Sequence, residues 1–294
     1  MKINKKKLQK ELQKIKDFYL DDKNHIDATD KFFNETFGKD FNKLKKKIYK
    51  SATKSKTNED FYKSLEGIDK DVDKLFKVNS TLSEAYFIKS MKDYYSKRSY
   101  AIASETDIAT NVLKKQSDLI KITESQFKNA TFSERIWKNQ QQLKIELAEV
   151  LNKDINNQRG RRQIYRDLAR RLAVSEYKAE RVVRTELARY QSEMELEQYK
   201  DAGVEEFEFV AVLDNRTSSE CKDNDGEVHL VKDMSIGTNA PPLHPNCRST
   251  TVPYFQGMPT LDRIGRDPRT GKSEYMDQSI KTYKDYENKY IKWL

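Results

Sequence analysis

EFEFVAVLD, residues Glu206 to Asp214, is where the chain changes period. Phe207, Phe209, Ala211 and Leu213 fall on one face of an extended strand, because side chains two residues apart share a face of a strand. Upstream the spacing is helical: Ser175 reads as an N-cap with Glu176 behind it, and Val183, Leu187, Tyr190 and Met194 follow on one face until Gly203. Before that, Ser133 reads as the cap of a helix whose inner stripe includes Leu143, Leu147 and Leu151. Downstream, Asp225 and Gly226 give a turn signal, VHLV at 228–231 a second strand and RSTTVPYF at 248–255 a third. The fold expected is α+β: a long, mostly helical N-terminal region, then a small domain of helices and a mostly antiparallel sheet.

The strand also organises the chemistry. The only two cysteines are Cys221, just beyond it in LDNRTSSECKDNDGEVHLV, and Cys247 in PPLHPNCRSTTVP, where His244 stands one turn away. A hairpin turning at Asp225 and Gly226 brings Cys221 back toward His244 and Cys247. Thiolate and imidazole suit zinc in tetrahedral geometry, with His229, Asp223 or Asp225 as fourth ligand. Two alternatives stand beside this: a structural loop with buried thiols and a histidine bonded to backbone carbonyls, or a Cys221–Cys247 disulfide.

Helix breakers divide the chain. All six prolines lie between Pro241 and Pro268, and only Gly38, Gly67 and Gly160 interrupt the first 200 residues. Apolar stripes recur there: Leu8, Leu12, Ile15 and Tyr19; Phe33, Phe37, Phe41, Leu44 and Ile48; Phe61, Leu65, Ile68, Val72 and Leu75. Such stripes are the ordinary device by which helices pack. The division expected is an extended helical arm at 1–130, an α+β domain at 131–260 and a tail with a helix at 261–294. Tyr283, Tyr286, Tyr290 and Trp293 in that tail are expected to dock back on the domain.

Of the 294 residues, 36% are hydrophobic and 35% charged, a balance that suits helices with much solvated surface. No apolar stretch approaches a membrane span, and MKINKKKLQK lacks an apolar core after its basic residues, so neither secretion nor membrane insertion is expected. Two cysteines fit a reducing compartment. The net charge is +9, and between Asn156 and Tyr190 ten basic residues stand against four acids. Arg162, Arg166 and Arg170, with Arg171 beside them, lie opposite Ile164, Leu168 and Leu172, so one helix has a basic and an apolar face. That face suits a phosphate backbone or an acidic partner; the plain alternative is a solvated face paired with local acids.

Catalysis finds little support. Cys221 with His244 as base and Asp214 as its orienter is the only nucleophile arrangement on offer, and no nucleophile elbow, HExxH or phosphate-binding glycine loop is present. In LDNRT, Asp214 and Asn215 favour a turn that Arg216 would clamp, and Arg184 and Glu186 of RTE read as an ion-pairing set reaching neighbours such as that turn. A cis bond at His244–Pro245 is compatible with the loop.

RTE at 184–186, DAGV at 201–204, LDNRT at 213–217, the Asp225–Gly226 pair and PPLHPNCRST at 241–250, in that order and spacing, resemble the head morphogenesis domain of tailed-phage minor head proteins, the phage Mu F-like family, from about Ser133 to the C-terminus. RDPRTGK, 266–272, resembles the tail of members from Gram-positive phages. Relatives often carry cysteines at the positions of Ser218 and Ser249, where a hydroxyl is a poorer zinc ligand than a thiolate. The resemblance implies a non-enzymatic virion component of the capsid interior, with portal, capsid or scaffold proteins as partners, DNA as a further one, and a role in head assembly or DNA packaging and delivery. A zinc-dependent nucleic-acid-processing enzyme or toxin-like domain is the competing reading.

Overall fold

Phe33, Phe37, Phe41, Leu44 and Ile48 form one buried stripe, each no more than 5% exposed. It runs through α1 (Asp22–Phe33), a π-helical turn at Asn34–Gly38 and α2 (Lys39–Lys54). The computed structural model describes residues 22–106, 116–157, 160–257 and 261–292, together with Lys10 and Gln13. The stripe from Leu8 to Tyr19, and Trp293, lie outside them.

The next stripe is also buried, but it belongs to two helices. α3 (Asn58–Ser64) opens on a capping box between Thr57 and Asp60, and Gly67, at φ 77°, turns the chain into α4 (Ile68–Thr106). After α5 (Gln116–Glu124) comes α6 (Phe132–Asn157), capped by Thr131 rather than Ser133: the Thr131 hydroxyl accepts from the Glu134 amide at 3.2 Å and Glu134 accepts from the Thr131 amide at 2.7 Å. Ser133 instead donates to Glu84.

α7 (Arg161–Asp201) corrects another expectation. Ser175 caps nothing; it lies inside this single helix, 3% exposed, where its hydroxyl meets Asn139 Oδ1 and its carbonyl accepts from Asn139 Nδ2 at 2.9 Å. A serine costs a helix interior only about half a kcal/mol relative to alanine, and no glycine or proline stands between Gly160 and Gly203 to stop the helix.

The sheet is antiparallel, in the order β2–β1–β3, with β1 (Glu206–Val210) central between β2 (Val228–Leu230) and β3 (Thr250–Tyr254). Phe207 pairs with His229 on one side and Pro253 on the other. The link from β1 to β2 is longer than a tight hairpin and contains a short helix, α8 (Ser219–Asn224). Gly226, at φ 85°, then returns the chain to the Phe209 carbonyl at 2.9 Å. A second pair, β4 (Ile264–Arg266) and β5 (Ser273–Tyr275), precedes α9 (Tyr283–Tyr286). Tyr283 and Tyr286 are buried with Leu213, Met276 and Ile280, so the tail docks back as expected. Burying each ring stabilises by roughly 1.5–3 kcal/mol.

The chain divides into two compact units, one of residues 29–86 and 123–184, the other of 1–28, 87–122 and 185–294. They interleave along the chain and are not cut at 130 and 260. The first unit is helical, with Phe76 edge-on to both Phe37 and Phe41 at 5.9 Å. The second contains the sheet, whose Phe207 packs with Tyr199, Ala202 and Val231.

Candidate metal centre

Ser218, extended at φ −69°, caps α8 by accepting from the Cys221 amide at 3.3 Å. The short helix thereby aims the Cys221 side chain at the loop that carries His244 and Cys247. In that loop the Cys247 amide donates to the His244 carbonyl at 3.2 Å, closing a turn over Pro245 and Asn246. Asn246 takes the left-handed conformation at φ 60°, which asparagine tolerates better than most residues. The cis peptide bond lies at Pro241–Pro242, not at His244–Pro245.

The expected convergence occurs. Cys221 Sγ stands 3.3 Å from His244 Nε2 and 3.5 Å from Cys247 Sγ, and the three ligand atoms lie within 4.8 Å of one another. Two thiolates about 2.3 Å from a tetrahedral zinc stand about 3.8 Å apart, so the donors are nearly placed. The cysteines are 1% and 6% exposed and both are free, so the pair is not a disulfide. His244 Nδ1 meets the Pro245 carbonyl at 2.9 Å, which turns Nε2 toward the sulfurs, the orientation a ligating histidine adopts.

Electrostatics within the cluster are coupled. The hydrogen bond from Cys221, helped by His244 and the Ser249 amide, drives the Cys247 thiol well below its usual value in spite of burial. The same bond, with burial, pushes Cys221 up. The His244 imidazole is raised, chiefly by its bond to Cys247. The Ser218 and Ser249 hydroxyls act the other way at Cys221, their hydrogen bonds favouring its thiolate.

The remaining candidates for a fourth ligand are elsewhere. His229 lies on β2 with its ring 5.5 Å from that of Phe207 and does not join the group. Asp225 is spent: its oxygens take both Arg263 Nη atoms, at 2.9 and 3.1 Å, and the Ala211 and Tyr283 amides. Asp223 is exposed. Asp214, offered as an orienter of the histidine, is held by Arg248 in a two-pronged pair at 2.6 and 2.8 Å, and His244 Nδ1 is already bonded to Pro245. Arg248 thus takes the clamping role expected of Arg216, whose guanidinium is 58% exposed and reaches Asp214 only at 3.5 Å.

RTE contributes through its middle residue. Thr185 Oγ1 accepts from the Asn246 amide at 3.1 Å, tying the His–Cys loop to α7. Arg184 pairs instead with Asp30 and Glu180, and Glu186 with the fully buried Arg189 at 3.0 Å. Thr185, flanked by two charged residues, carried no signal of its own beyond its place in the motif.

With the motif residues brought together in this order, one stretch of the chain matches a known family. Residues 145–252 match the family described as Phage Mu protein F like protein. The Mu F-like segment runs from within α6, through α7 and the Cys–His cluster, into β3, shorter than the span from Ser133 to the C-terminus that the motifs suggested. RDPRTGK lies beyond it. No curated protein and no solved structure matches the chain.

The basic residues named with this segment sit as the period required: Ile164, Leu168 and Leu172 are fully buried, and Arg162, Arg166, Arg170 and Arg171 are exposed on the opposite side. Arg171 reaches Glu146 at 3.7 Å. Among the described residues, no helix is long and apolar enough to cross a membrane.

Proposed function

We propose that this chain is a minor head protein of a tailed phage: a non-enzymatic component of the virion interior, associated with the portal and with capsid or scaffold proteins, and acting in head assembly and in packaging or delivery of DNA. The observation that carries the reading is the Mu F-like match over 145–252, which takes in β1, β2 and the cluster of Cys221, His244 and Cys247. In this role the cluster is a clamp. Two thiolates and an imidazole, oriented by Pro245, fit zinc, and zinc bound there would supply folding free energy by tying α8 to the loop before β3.

The test is made on the phage that encodes the chain. Mass spectrometry of purified particles should detect the protein, it should co-elute with the portal protein on co-expression, and deleting its gene should yield fewer or defective heads. A chain missing from particles, whose deletion leaves head yield and infectivity unchanged, would refute the assignment.

A further inference from the structure

The two edges of the β2–β1–β3 sheet are not alike. Along an antiparallel strand the backbone groups of successive residues point alternately to one neighbour and to the other. The Val231 amide donates to the Glu205 carbonyl at 2.8 Å and the Phe209 amide to the Glu227 carbonyl at 2.9 Å, so Glu227, His229 and Val231 face β1. Val228 and Leu230 face outward: the Val228 N–H and C=O and the Leu230 N–H have no backbone partner among the described residues. By the same alternation Glu206 and Glu208 of β1 bond to β3, which leaves Pro253 on the far edge. A proline there has no N–H to offer and closes that edge, whereas β2 has no proline.

The side chains along the open edge form a surface of their own. Val228 and Leu230 are 38% and 40% exposed, and they share the outer sheet face with their cross-strand partners Glu208 and Glu206. The other face is the packed one, where Phe207 meets Tyr199. Both glutamates are half-buried, and neither they nor Glu227 has a cation within ion-pair distance among the described residues. Residues 205–208 and 227–233 hold five acids and one lysine in a chain whose net charge is +9, so this edge runs against the sign of the whole.

We propose that the outer edge of β2 takes an extended segment of a partner protein, added as a further strand, in which lysine or arginine occupies alternate positions. The added backbone would satisfy the outward groups of Val228 and Leu230. On the outer face its side chains would stand beside those two residues and about 10 Å from the Glu206 and Glu208 row, twice the spacing of neighbouring strands. A long basic side chain spans that gap, its stem lying on the valine and leucine and its head reaching a carboxylate. Short or acidic side chains do not. A second copy of this chain is the wrong occupant: it brings the same acids to the edge, and like charges across strands are destabilising.

The test uses the full chain and a short fluorescein-labelled peptide alternating lysine with threonine, with binding followed by anisotropy. Saturable binding is expected, and none with glutamate in place of each lysine. A version methylated at every backbone nitrogen keeps each charge but has no ladder donor, and it should bind at least about tenfold more weakly. E206Q/E208Q should weaken binding about three- to tenfold. V228P, which removes an outward N–H and no bond to β1, should weaken it as well; the methylated peptide keeps the test valid if V228P loses its sheet signal by circular dichroism. Equal affinity for the methylated peptide would reduce the binding to charge alone and overturn the proposal. So would full affinity in E206Q/E208Q, or a dimer seen by light scattering that V228P disperses. These measurements need only the purified chain, so their failure is separate from that of the particle experiment.

Discussion

Asp225 and Arg263 form a fully enclosed, two-pronged ion pair, both side chains 0% exposed, across 38 residues of sequence. It joins the turn before β2 to the segment entering β4. Arg263 also donates to the Ala211 and Lys281 carbonyls, and Asp225 accepts from the Tyr283 amide, so β1, the turn and the tail meet at one pair.

Breaking that pair from one side leaves a buried charge alone. Arg263→Met should therefore cost about 3–5 kcal/mol, and Asp225→Ala, which also orphans two backbone amides, at least as much. Urea unfolding followed by circular dichroism measures both; a loss under about 1 kcal/mol would show that water replaces the partner.

Thr185 tests the tie between α7 and the His–Cys loop. Thr185→Val keeps the shape and removes the acceptor for the Asn246 amide. The expected loss is about 1–2 kcal/mol of stability, with zinc affinity falling about 10- to 100-fold because a supporting contact of the ligand loop is gone. Stability and metal affinity both at the wild-type level would remove the tie from the account.

Zinc itself is checked by elemental analysis of protein purified under reducing conditions. Roughly one zinc per chain is expected, lost in Cys221→Ser, Cys247→Ser and His244→Ala and kept in His229→Ala. Chelation should lower the melting temperature of the wild type. Metal-free protein with an unaltered melt would leave the cluster a buried thiol pair beside a histidine.

Acid should act on Asp214. Burial raises its carboxyl, but the hydrogen bonds and charge of Arg248, with the Arg216 amide and Thr217 hydroxyl, outweigh burial and hold it below its usual value. Its folded pKa lies below the unfolded value of about 3.9, so its stabilisation is fully present above about pH 4 and is lost as pH falls through the folded value. Asp214→Asn should be less stable than wild type at neutral pH, with the gap narrowing below about pH 4. A gap that widens in acid would contradict the sign.

Much of the candidate site was legible because its residues are chemically distinctive. Two cysteines and a histidine beside prolines stand out in a chain otherwise poor in them, and the turn at Gly226 announced the fold-back. The cap at Ser175 was misread because serine looks the same at a helix start as in a helix interior with a buried partner, and Asn139, that partner, is 36 residues away. Arg216 is the clamp that the sequence offers for a similar reason. Adjacency to Asp214 is visible in the sequence, whereas the bend that brings Arg248 to it is not.

Period and composition determined the element types of this chain: phenylalanine and leucine stripes made helices, the alternation after Gly203 made a strand, and the absence of breakers made the helices long. These are interactions of residues within a few positions of each other, and the sequence records them directly. The tertiary structure alone decided which group each buried polar side chain meets: Thr185 with Asn246 across 61 residues, Arg248 with Asp214 across 34, and Arg263 with Asp225 across 38. Desolvation makes an unmatched buried charge costly, so such partners are chosen by where packing brings the backbone together.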